Sequence, residues 1–81
     1  MQLPILLFAG AKQIANTDQI FIEVPQPVTA GEILQKIADS MPELRGLASH
    51  SRLAVNGRYV TSQTIVETTA ELALIPPVSG G

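Results

Sequence analysis

Gln19-Ile-Phe-Ile-Glu-Val-Pro-Gln-Pro-Val-Thr-Ala-Gly-Glu-Ile-Leu-Gln-Lys-Ile-Ala-Asp-Ser-Met-Pro42 holds the decisive pattern, a strand that runs into a capped helix. Its first six residues alternate, so Ile20, Ile22 and Val24 share one face while Gln19, Phe21 and Glu23 take the other. Pro25 and Pro27 close that strand. Thr29 followed by Glu32 is a capping box, in which each side chain serves an orphan N–H of the other's backbone. Val28 and Ile33 flank the cap as a hydrophobic staple. Ile33, Leu34, Ile37, Ala38 and Met41 then recur at helical spacing, and Pro42 stops the helix.

Working outward, residues 3–9 (Leu-Pro-Ile-Leu-Leu-Phe-Ala) read as a first strand, with Pro4 at its start or in an unpaired position. Residues 10–18 read as a connection with a helical turn around Lys12. Residues 43–51 read as a short helical turn and loop. Leu53-Ala-Val55, Asn56-Gly57 and Tyr59-Val60 form a hairpin, because Asn-Gly supplies the positive φ angles of a type I′ turn. Residues 71–75 are the last strand. The predicted class is therefore α+β, one main helix on one face of one mixed sheet. By analogy, this order of elements is that of the ubiquitin-like β-grasp. Residues 1–75 are expected to form the domain and residues 76–81 a flexible tail.

With 81 residues there is room for one domain, and little for an internal cofactor cavity. The longest apolar run, residues 3–9, is far short of the roughly 20 residues of a membrane span. No basic residue precedes it, so it is not read as a signal peptide. The absence of cysteine excludes disulfides, thiolate zinc sites and a cysteine nucleophile. A net charge of −2 with five scattered Lys and Arg gives no footprint for nucleic acid. A soluble, cytoplasmic protein is expected.

Strand parity leaves Leu6 or Phe8, Phe21 and Ile75 on the side of the sheet away from the helix, where polar residues would be usual. Scattered surface hydrophobes are one reading of these residues. A partner-binding patch near the end of the last strand is the other, and it accounts for them together.

The chain closes with Pro76-Pro77-Val78-Ser79-Gly80-Gly81. Two prolines end the strand and favour a stiff, extended exit. Two glycines without side chains let another protein's walls close around them. Six extended residues reach about 20 Å, enough to deliver a terminal carboxylate into a neighbouring active site. A lone Gly-Gly would suit an ordinary frayed terminus; the full run in this context does not.

That run resembles the C-terminal signature of the small subunits of molybdopterin synthase (the MoaD type). The likeness extends over nearly the whole chain, through Leu7 to Ala9, the helix after Val28 and Ala54 to Asn56. It implies a sulfur carrier of molybdenum cofactor biosynthesis that binds no cofactor itself. A separate, E1-like activating enzyme would use ATP to adenylate the Gly81 carboxylate, and a sulfur donor would convert it to a thiocarboxylate. The tail would then enter the active site of the large synthase subunit and give up its sulfur to make the molybdopterin dithiolene. Two copies of each subunit would form a heterotetramer.

The resemblance also implies a docking patch of Phe8, Tyr59 and Ile75 with Lys12 beside it. Two positions depart from the family pattern. Lys12-Gln13 stands where Arg-Glu is usual, which keeps a charge but loses the guanidinium fork. Thr68-Thr69-Ala70-Glu71 replaces an acidic, glycine-containing turn.

The residues themselves agree by what they lack, having no nucleotide loop and no His or carboxylate cluster for catalysis or metal. His50 reads as a loop residue, Glu32 as a cap and Glu43 as solvated surface. A carrier for thiamine thiazole or tungsten cofactor assembly, a ubiquitin-like protein modifier and an inert β-grasp module are the alternatives.

Overall fold

Alternation near the N-terminus becomes strand β1 (Gln2–Leu7) in the computed structural model, which describes residues 1–77. Leu3, Ile5 and Leu7 are buried, with Pro4 and Leu6 on the opposite face. β2 (Gln19–Glu23) runs antiparallel to β1 and buries Ile20 and Ile22 on the same side. β5 (Leu72–Ile75) lies parallel to β1 on its other flank, and β3 (Arg52–Val55) lies antiparallel to β5. The short β4 (Arg58–Tyr59) completes a five-stranded sheet of order β2-β1-β5-β3-β4. A parallel central pair demands a crossover, and helix α2 (Ala30–Ser40) provides it. The α+β, ubiquitin-like β-grasp reading therefore holds, with one mixed sheet and one principal helix.

Pro4 sits within β1, and the register explains why it is tolerated. The Leu7 N–H donates to Asp18 (2.8 Å) and the Val24 N–H to Met1 (2.9 Å), so odd-numbered residues of β1 exchange hydrogen bonds with β2. The nitrogen of Pro4 therefore points the other way, toward β5, whose pairing with β1 begins only at Ile5. No ladder bond is lost.

The start of α2 is fully accounted for. Its four first-turn N–H groups, which no helical carbonyl can satisfy, all find acceptors. Ala30 donates to the Thr64 carbonyl and Gly31 to that of Ser62, while Glu32 donates to Thr29 Oγ1 and the N-cap Thr29 itself to Glu32 Oε1. A Cβ on Gly31 would lie 3.0 Å from the Ser62 oxygen, so glycine lets this strap close on the helix. The reciprocal half of the capping box is also present, the Thr29 N–H and hydroxyl donating to Glu32 Oε1 at 2.9 and 3.0 Å. Val28 and Ile33, the expected staple, are both buried.

These bonds to Thr29, backbone first and hydroxyl second, hold the Glu32 carboxyl below its ordinary range. A depressed folded-state pKa means that the stabilisation is complete above the unfolded value and is lost as pH falls through the folded one. Glu32→Gln should therefore lose less stability than the wild type on acidification through the carboxylate range, measured as melting temperature against pH. Because Glu32 is fully exposed, the difference should be small and should shrink with added salt.

The first strand, expected over residues 3–9, ends at Leu7, and the connection expected to hold one helical turn begins a residue earlier with a seven-residue helix, α1 (Ala9–Ala15). Ala9 takes φ 50° to turn the chain out of β1, and Asn16 at φ 58° ends the helix. Only Ala11 of the seven is buried, so no apolar stripe announces it. After α2, a 3-10 turn (Pro42–Leu44) and α3 (Arg45–Ala48) form the expected short helical turn and bury Leu44 and Ala48.

The β3–β4 hairpin turns on Asn56 (φ 51°) and Gly57 (φ 81°), the left-handed pair that a type I′ turn needs. Asn56 also ties the turn to β5. Its N–H donates to the Glu71 carbonyl at 2.8 Å, and its Oδ1 accepts from the Glu71 N–H at 2.9 Å. Asn56→Ala removes that acceptor and places alanine where φ is positive. It should cost about 1–2 kcal/mol in urea unfolding.

Candidate partner-docking face at the root of the tail

Strand parity places one row of side chains across the side of the sheet away from α2. The registers Leu6↔Ala73, Ala73↔Ala54 and Ala54↔Tyr59 run from β1 to β4. Two alanines between a leucine and a tyrosine give that row a shallow middle. One step along the strands, Ile75 pairs with Arg52. Phe8 lies just past β1 in extended conformation (φ −133°, ψ 158°), beyond the Leu7↔Leu74 pair and therefore flanking Ile75. Near the other edge Pro4 pairs with Phe21.

This face is apolar and open. Phe8, Phe21 and Tyr59 are 47%, 59% and 58% exposed, and Ile75 is half-buried. Because α2 takes only one face of the sheet, core packing does not account for these residues, which run from β2 at one edge of the sheet to β4 at the other. Exposed apolar side chains gathered on one face are the material from which interaction sites are built. Aromatic anchors are the side chains that such sites favour.

Ile75, Pro76 and Pro77 border one hollow of about 210 Å³ together with Tyr59, Arg52 and His50. The root of the tail therefore rises directly from this face. Arg52 lies over the Tyr59 ring, its Cζ 5.2 Å from the ring centroid, within reach of a cation–π contact. Val78, Ser79, Gly80 and Gly81 lie outside the described residues.

Of the expected docking residues, the structure brings Tyr59 and Ile75 together around the hollow, with Phe8 on the flank of Ile75. Lys12, one helical turn after Phe8, lines a different hollow with Ala9, Gln13, Asn16, Thr17 and Asp18. Sequence reasoning passed over Arg52, because β3 was started at Leu53. Carrying the alternation back by one residue would have put Arg52 on the Ala54 face. His50, expected to be a loop residue, is exposed and borders the root of the tail.

Among the described residues there is no group of three or more His, Asp or Glu that could hold a metal ion, and no helix long and apolar enough to cross a membrane. What the face offers chemically is a surface to bind with, beside the start of a short peptide.

The family model described as the ThiS family matches residues 5–81. The chain belongs to the ThiS family. Among its relatives in that family, the molybdopterin synthase sulfur carrier subunit of Dictyostelium discoideum is 36% identical over 83 residues, covering 99% of this chain and 96% of that one. That of Arabidopsis thaliana is 33% identical over 81 residues, covering 100% of this chain and 84% of the relative. Among solved structures, the ThiS-family fold seen here matches the crystal structure of SAMP1 from Haloferax volcanii with a TM-score of 0.82. The two are 27% identical, and the match covers 100% of both chains. The ThiS-family match takes in both the sheet and the Gly80-Gly81 ending, so one family accounts for the fold and the tail together.

Proposed function

We propose that this ThiS-family chain is the sulfur-carrier subunit of a molybdopterin synthase, working through its terminal Gly81. The observation that carries the reading is end-to-end similarity to molybdopterin synthase sulfur carrier subunits at 33% and 36% identity. The geometry agrees, because the last described residues, Ile75 to Pro77, leave the sheet from an apolar face suited to holding a second protein.

The chemistry follows from the reactivity of a carboxylate. Sulfur cannot displace an oxygen from it directly. In the proposed cycle a partner activating enzyme joins a Gly81 carboxylate oxygen to the α-phosphate of ATP, and pyrophosphate leaves. A donor persulfide then attacks the acyl carbon and expels AMP, and a second thiol of the donor attacks its own persulfide sulfur, forming a disulfide and releasing the thiocarboxylate. The charged tail next enters the large synthase subunit, where the sulfur passes to the pterin precursor.

On this account the chain has no activity alone, binds no cofactor and works in the cytoplasm. It forms a heterotetramer with a dimeric large subunit. The open face serves both the activating enzyme and the large subunit, since each must receive the same tail. Reconstitution of the chain with an activating enzyme, a sulfur donor and the large subunit tests the reading. Molybdopterin should form only when all are present.

A second reading has a specific observation in its favour. SAMP1 is a small archaeal modifier protein, and the structural match to it covers the whole of both chains. A modifier would end with Gly81 in an isopeptide bond to a target lysine. Conjugates on denaturing gels of native extract, absent when Gly81 is deleted, would favour that reading over the carrier.

A further inference from the structure

Gln2, Gln19 and Glu23 lie at the β2 side of the open face, whereas around the root of the tail Ile75, Tyr59 and the two prolines surround one charged side chain. Arg52 stands there beside Ile75, with its guanidinium over the Tyr59 ring. Among the described residues no carboxylate lies within ion-pair distance of Arg52, and its side chain makes no hydrogen bond. The sequence around it makes the isolation systematic. From residue 44 to residue 66 there are three arginines, Arg45, Arg52 and Arg58, and neither Asp nor Glu. All seven acidic residues lie at positions 18–43 and 67–71.

A guanidinium held over an aromatic ring engages its charge there without using its N–H donors, which remain available to a partner. The fork of those donors matches a carboxylate in geometry and in charge. Arg52 and Tyr59 are diagonal neighbours on adjacent strands, so the sheet itself sets their spacing.

We propose that Arg52, held on Tyr59, is a specificity-determining residue that reads an Asp or Glu carboxylate on the large-subunit partner, set within an apolar contact. This inference rests on the sulfur-carrier reading above and adds which partner chemistry the face selects. The apolar residues supply area, which any apolar partner could share. A single cation in their midst makes a partner without an opposing carboxylate bury an unpaired charge, and that penalty discriminates between partners.

Titration calorimetry of the full chain with the large synthase subunit of the same organism, at low and moderate salt, tests this. Arg52→Gln should weaken binding about tenfold and flatten its salt dependence. Arg52→Lys, which keeps the charge without the fork, should fall between the two and retain the salt dependence. Melting temperatures of both variants should stay near wild type, because Arg52 is exposed.

Equal affinity and equal salt dependence for Arg52→Gln and wild type would overturn the inference. So would tighter binding by Arg52→Gln, the result expected if the arginine instead held the chain's own terminal carboxylate. Failure of the wild type itself to bind the large subunit would count against the sulfur-carrier reading, which separates the two.

Discussion

Deleting Gly81 should abolish molybdopterin formation in the reconstituted system while leaving the fold untouched. The core lies wholly within residues 3–74, and the sheet ends at Ile75. The fold is therefore expected to survive removal of the last residue. In the proposed cycle, however, every covalent step on this chain happens at the Gly81 carboxyl group. Deletion moves the terminal carboxylate back by one residue, about 3.3 Å of extended chain. Displacements of about 1 Å at a reacting atom already cost about a hundredfold in rate. Product yield should therefore fall to background, with the wild-type melting temperature retained. Full product formation by the shortened chain would remove the basis for placing the chemistry at Gly81.

The second large effect is expected at Ile75. Ile75→Asp puts a charge where a partner has to exclude water. In the free protein that charge remains hydrated and faces Arg52 across the strand pair, so the fold should accommodate it. On docking it would have to be desolvated, and it would also neutralise the one cation on the face. Affinity for the large subunit should drop by at least about thirtyfold, the scale of a central hot-spot residue. Phe8→Ala provides a second test with less risk to stability, since Phe8 is about half exposed. It should weaken binding about tenfold. Unchanged affinity in either variant would remove that residue from the docking face.

How much of this was legible in the sequence depended on the length of each signal. The capping box at Thr29 and Glu32 is a local device with fixed chemistry, and it appears in the structure with both reciprocal bonds. The Asn56-Gly57 turn is local in the same way. α1 escaped because seven residues with one buried alanine carry no periodicity, and because its entry depends on Ala9 taking a left-handed φ that no residue type announces.

The open face was half legible. Alternation along single strands selected Phe8, Phe21 and Ile75. Which of them stand beside one another depends on register between strands far apart in the chain. The Arg52–Tyr59 contact belongs to that second kind of information, since it needs the β3–β4 pairing and the position of Ile75 on β5.

The tail carries the most specific motif in the sequence, and its residues 78–81 lie outside the described residues. Its sequence motif and the family match speak for it. The structure adds the setting of its root, Pro76 and Pro77 beside Tyr59, Arg52 and His50. Chemistry at the terminus and docking of the face are therefore separable, and variants on one should leave the other's readout intact.

Intact and peptide mass analysis of the chain purified from its native cells tests the central claim most directly. The account predicts a fraction in which the Gly81 peptide carries one sulfur in place of one oxygen, lost on hydrolysis. A population in which Gly81 is found only as an unmodified carboxylate or in isopeptide linkage to other proteins, under conditions where the cells make molybdopterin, would contradict it.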